Sequence, residues 1–73
     1  MITKDEYEQA KANGFEERYR GDEISRRISK KYPLSAQIAI LMDRESKPSE
    51  WEAYQAFRSA VKAEVDAEIA TLE

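Results

Sequence analysis

From Pro48 to the end of the chain, no further glycine or proline interrupts the sequence. Over that stretch Trp51, Tyr54, Phe57, Val61, Val65, Ile69 and Leu72 recur at steps of three or four residues. This is the period of a helix with one apolar face, not the alternation of a strand. Lys47-Pro48-Ser49-Glu50 supplies its start. Proline is favoured in a first helical turn, and a glutamate there meets the positive end of the helix dipole. A helix over 48–72 spans about 36 Å at ~1.5 Å per residue. In a chain of 73 residues, such a rod sets the architecture, because every other segment must pack along it or leave its apolar face bare.

The remaining segments read as short helices. Thr3 followed by Glu6 forms a capping box, and Ile2 and Tyr7 fall where a hydrophobic staple belongs. A helix over 4–13 follows, stopped by Asn13-Gly14. Phe15 and Tyr19 share a turn that Gly21-Asp22 is expected to interrupt. Asp22 then caps a helix over 22–32, with Ile24, Ile28 and Tyr32 on one face and Pro33 closing it. Ser35 caps a third helix over 35–45 carrying Ile38, Leu41 and Met42. The fold class expected is all-α: a single domain over 1–73, with three short helices packed on the first half of the long C-terminal one. The expected core is Ile28, Tyr32, Ile38, Leu41, Met42, Trp51, Tyr54, Phe57 and Val61. Trp51 and Tyr54 are expected to fold back on Ile38, Leu41 and Met42.

Composition limits both stability and chemistry. The chain contains no cysteine and no histidine. Disulfides and zinc–thiolate sites, the usual staples of small domains, are therefore excluded. So are the common nucleophile–base pairs. The serines sit in no nucleophile-elbow context, and two glycines cannot build a phosphate loop. Glu64 and Glu68 share a helix face, but hard cations need more oxygen ligands than two carboxylates supply. No catalytic residue, metal site or cofactor is expected. The longest apolar run, Ile38 to Met42, is far short of the ~20 residues of a membrane span. Thr3 to Glu6 are polar where a secretory signal would be apolar. The expectation is a soluble chain made in a bacterial cytoplasm, without a membrane partner.

Two surfaces stand out. If the short helices cover only half of the long one, Val65, Ile69 and Leu72 need cover from another chain. Beside them Ala63, Ala67 and Ala70 continue an alanine series with heptad spacing, which can admit a second helix closely. Alanine is also the best helix former and costs little on an exposed face. The second surface is basic. Residues 18–32 hold six cations against two carboxylates. Arg26, Arg27, Lys30 and Lys31 form i, i+4 pairs on a helix and offer a phosphate-binding patch. The net charge of −3 argues against a general nucleic-acid binder. The helix after Pro33 lacks base-reading side chains apart from Gln37.

The stretch from Ile28 to Phe57 carries a more specific pattern. It combines Ile28 and Tyr32; Ala39, Ile40 and Leu41; Arg44; a Lys47-Pro48-x-Glu50-Trp51 turn; and then Tyr54 and Phe57. This resembles short α-helical segments encoded in phages and prophages of gut and Firmicute-type bacteria. Those occur as small proteins or as tails of host-attachment proteins. Pro33 and Trp51 depart from the usual polar residue and phenylalanine, and residues 1–27 match no part of the pattern. The resemblance implies a virion-associated or assembly role and no reaction. The expected function is therefore a non-enzymatic helical interaction module, associating with itself or with a larger virion protein. The alternative is a small regulator that binds nucleic acid, or a host nucleic-acid enzyme, through the basic helix.

Overall fold

The computed structural model describes residues 2–72. Four helices follow in order: α1 (Lys4–Ala12), α2 (Glu16–Lys31), α3 (Leu34–Met42) and α4 (Pro48–Leu72). The chain is a small all-α bundle in which the long C-terminal helix packs against the other three. Its shape is elongated. The principal extents are 45 × 19 × 17 Å and the radius of gyration is 14.5 Å, against about 11 Å for a compact chain of this length.

α2 and α4 form the body of the rod. Tyr32, just past the end of α2, meets Tyr54 and Phe57 near the start of α4, with ring centroids 5.2 and 5.4 Å apart. Arg20 and Arg27, further back in α2, reach Asp66, Glu64 and Glu68 near the end of α4. The two helices therefore run antiparallel. Between them lie Ile24, Ile28, Tyr54, Val61 and Val65, all buried. α1 lies toward one end of this pair and α3 toward the other. Tyr7 of α1 meets Tyr19 edge-on at 6.2 Å, and the Ile2 amide donates to Glu68 Oε1 at 3.2 Å. At the opposite end, the Tyr54 hydroxyl donates to Gln37 Oε1 of α3 at 2.6 Å.

Local chemistry explains the helix limits. Thr3 Oγ1 accepts from the Glu6 amide at 3.4 Å, and Ile2 and Tyr7 are both buried. At the other end of α1, Gly14 has φ +76°, a conformation that costs side-chain-bearing residues dearly. The Gly14 amide returns to the Lys11 carbonyl and that of Phe15 to Ala10. These bonds satisfy carbonyls that the helix end would orphan.

The second helix begins earlier than the sequence suggests. Gly21 and Asp22 lie inside α2 and do not interrupt it. Asp22 caps nothing; it faces Arg18 one turn back at 3.9 Å. A single interior glycine costs under about 1 kcal/mol, which the burial of the α2 face outweighs. Ser35 likewise lies within α3, whose N-cap is Pro33. α3 stops at Met42, three residues short of the expected end, and residues 43–46 form a turn in which the Ser46 and Lys47 amides both return to the Asp43 carbonyl.

Three expected core residues are not core. Ile38, Leu41 and Met42 are 49%, 46% and 78% exposed. α3 turns Ala36, Gln37 and Ile40 inward instead. Trp51 and Tyr54 therefore do not fold back on the expected trio; Tyr54 reaches Gln37, while Trp51 is half-buried beside Tyr54 with ring centroids 6.1 Å apart. The far half of α4 is also not bare. Val65 is fully buried within the chain, and Ile69 and Leu72 pack against the same core. α2 is long enough, and Ile2 and α1 well enough placed, to cover that end.

The two glycines should respond in opposite directions to alanine. Neither has any atom within 4 Å of an added Cβ, so packing does not enter. Gly14→Ala forces a side chain into the left-handed region and should cost about 1–2 kcal/mol. Gly21→Ala should gain about 0.5–1 kcal/mol through helix propensity. Thermal unfolding of the two variants checks both signs.

Candidate functional site

The basic block is the first surface to test. Arg27 is 13% exposed in its side chain and sits among three carboxylates. Its Nε donates to Glu23 Oε1 at 2.9 Å, its Nη1 to Glu64 at 2.7 Å, and its Nη1 and Nη2 to the two oxygens of Glu68. Arg26 Nη2 lies 2.7 Å from both oxygens of Glu23. Arg20 holds Asp66 through two bonds of 2.5 and 3.0 Å. Lys31 lies 4.7 Å above the Phe57 ring. Of the four residues expected to form a phosphate patch, Lys30 and Lys31 alone remain as exposed cations with no carboxylate partner among the described residues. The arginines of the block are spent on tying α2 to itself and to the acidic end of α4.

The electrostatics follow from these partners. The Arg27 guanidinium and the Ile2 amide hold the Glu68 carboxyl down to about 2. Burial pushes Glu23 up, but the hydrogen bonds from Arg26 and Arg27 outweigh it and the net shift is downward. The Arg20 hydrogen bonds lower Asp66. Burial, reinforced by its bond to Glu6, raises the Tyr19 hydroxyl. Glu64 and Glu68 thus face an arginine where a cation would need them free. No group of acidic residues suited to a metal ion occurs among the described residues.

The expected seam on α4 divides. Val65 lies inside the chain, and Ile69 and Leu72 are only partly exposed, so they do not form an open apolar face. Ala63, Ala67 and Ala70 are exposed. Helix propensity alone accounts for alanine there, and no large apolar side chain among the described residues remains open beside them to anchor a partner.

The apolar surface that does stay open lies on α3. Leu34, Ile38, Leu41 and Met42 occupy i, i+4, i+7 and i+8 of one helix, which is a single stripe at ~100° per residue. Leu34 is 69% exposed, and its three companions are the residues expected in the core. The stripe lies opposite the inward face of Ala36, Gln37 and Ile40. No charged residue lies within α3. Two open grooves flank it. One, of about 290 Å³, runs toward α2 and is lined by Ile24, Ile28, Leu34 and Tyr54 together with the polar Ser25, Ser29, Gln37 and Arg58. The other, of about 340 Å³, lies toward the start of α4 between Tyr32, Ile40 and Ala53.

These apolar residues are plain in the sequence, but the side of the helix they occupy is not. α3 has the sequence LSAQIAILM, apolar nearly all round. Such a segment contains no polar stripe to show which face meets water. Gln37 is the one usable signal. It donates to the Tyr32 carbonyl at 2.8 Å and accepts from Tyr54, which turns its side of the helix inward.

No protein-family model, no curated protein and no solved structure matches the chain. No helix is long and apolar enough to cross a membrane among the described residues.

Replacing Arg27 by methionine should cost about 2–4 kcal/mol, mostly by leaving the buried Glu23 with one partner fewer. The acid limb of the stability curve tests the same cluster. A carboxylate whose pKa falls on folding stabilises fully above its unfolded value and progressively less as pH drops toward the folded one. Stability should therefore fall between pH 4.5 and about 2. Glu68→Gln should flatten that fall, as read by urea titrations across the range.

Proposed function

We propose that this chain is a non-enzymatic helical interaction module that docks another protein helix on the exposed stripe of α3. The observation that carries this reading is the exposure of Leu34, Ile38, Leu41 and Met42 together on one face. A small domain gains from every large apolar side chain it buries, by about 1.5–3 kcal/mol each. Leaving four neighbouring ones in water forgoes that gain. Contiguous exposed apolar patches of this kind mark interaction surfaces. The groove on either side of α3 lets a partner side chain enter beside the stripe.

The phage and assembly context suggested by the Ile28–Phe57 pattern fits such a module. Docking onto a larger virion protein, or onto another copy, uses the same physics: apolar helix packing with a polar rim. The basic helix has a different part in this proposal. Arg20, Arg26 and Arg27 hold the bundle together, and the docking surface lies outside them.

Photo-crosslinking tests the reading in the producing cell. A photoreactive phenylalanine analogue is placed at Ile38 and, in a separate variant, at exposed Ser59 on α4. A discrete protein adduct from position 38 that position 59 lacks supports docking on α3. Equal adducts at both positions, or none at 38, overturn it.

A further inference from the structure

We propose that the groove between α2, α3 and α4 binds a small carboxylic acid with a short apolar body, and that Arg58 holds its carboxylate. The site does not rest on the docking role of α3. Leu34 is the one residue of the stripe that also lines it.

Arg58 carries the argument. Three arginines are partly withdrawn from water: Arg20, Arg27 and Arg58. Arg20 holds Asp66, and Arg27 holds Glu23, Glu64 and Glu68. Arg58 alone of the three has no carboxylate partner among the described residues. Its Cζ lies 5.7 Å from the centroid of the Tyr54 ring, and both residues line the groove. An aromatic face attracts a guanidinium without using its N–H donors. A planar fork with free donors matches the two oxygens of a carboxylate. No aspartate or glutamate lines the groove, so nothing there fills that role or repels an anion.

The ring beside Arg58 is itself fixed. The buried Tyr54 donates its hydroxyl to Gln37 Oε1 at 2.6 Å, and Gln37 Nε2 donates to the Tyr32 carbonyl at 2.8 Å. The polar ends of Tyr54 and Gln37 are thus spent on the fold. Ser25 and Ser29 differ. They stand one turn apart on α2, are exposed, and make no side-chain hydrogen bond among the described residues. Their hydroxyls can donate to carboxylate lone pairs that Arg58 leaves open.

The rest of the groove suits an apolar body. Ile24 and Ile28 are buried and give it an apolar floor, and Leu34 adds an apolar wall. Its volume of about 290 Å³ lies at the low end for ligand sites. The ligand is therefore a short alkyl or single-ring monocarboxylate.

Nuclear magnetic resonance of the isotope-labelled chain tests this with hexanoate. Acetate, hexanol and hexylammonium serve as controls at equal ionic strength. Hexanoate should shift the amide signals of Ser25, Ser29 and Leu34 and the Arg58 side-chain N–H, saturably, with a Kd of about 1 mM for so small a ligand. Arg58→Gln should weaken binding at least about tenfold, as loss of a charge-assisted bond requires. Leu34→Glu, at an exposed position, gives the groove a carboxylate of its own and should abolish binding even if Arg58→Gln fails to fold. Circular dichroism checks that each variant keeps its helices. Equal shifts with hexanol or hexylammonium would overturn the carboxylate assignment, as would wild-type affinity in folded Arg58→Gln. Acetate binding as tightly as hexanoate would reduce the site to a surface arginine and overturn it. So would the lack of any saturable shift with hexanoate.

Discussion

The Arg27 guanidinium is the point through which the two long helices are joined. It lies in the antiparallel interface of α2 and α4 and touches Glu23 on its own helix and Glu64 and Glu68 on the other. Burying one charge is expensive, and a guanidinium is suited to it because its planar fork can satisfy several carboxylate oxygens at once. The effect reaches beyond the pair. Glu68, held by Arg27, accepts from the Ile2 amide, so the same carboxylate anchors the N-terminal segment. Ile2 and Tyr7 then close over the far end of α4, and Val65 loses all contact with water. A chain without disulfide or zinc–thiolate site thus secures its longest helix by a polar cluster at the rim of an apolar seam.

This arrangement explains the elongated shape. An α4 of 25 residues needs a companion of comparable length, and α2 at 16 residues covers most of it. The remaining length is shared between α1 at one end and α3 at the other. The two ends differ in kind. The α1 end is closed by the Ile2 anchor, the Tyr7–Tyr19 contact and the arginine–carboxylate bonds. The α3 end rests on Ile40, Ala36 and a hydrogen-bonded chain from the Tyr32 carbonyl through Gln37 to Tyr54.

Legibility in the sequence followed the strength of the periodic signal. The all-α class and the long C-terminal helix could be read because α4 carries large apolar residues at helical spacing between clear polar ones. The stop at Gly14 could be read because a left-handed residue has a chemical signature. The start of α2 could not. Gly21-Asp22 resembles a break, but tertiary burial on both sides overrides a local penalty of about 1 kcal/mol. The arginines look like a free basic block only while their carboxylates are out of view. Glu64 and Glu68 stand 37 and 41 residues from Arg27 along the chain, and no local pattern links groups so far apart.

The orientation of α3 was hidden for a related reason. A helix with apolar residues on both faces satisfies the bundle with one and leaves the other to water. Its inward face is made of small or hydrogen-bonding side chains, Ala36 and Gln37, with Ile40 the one large apolar residue. The larger apolar side chains are turned outward. If stability alone shaped this helix, the reverse would hold, because Leu34, Ile38, Leu41 and Met42 would contribute more buried than exposed. The residues that hold the fold and the open apolar stripe are thereby separated along the rod. The arginine cluster and the Val65 seam hold the fold at one end. At the other, the outward stripe of α3 lies apart from the residues that keep the chain folded.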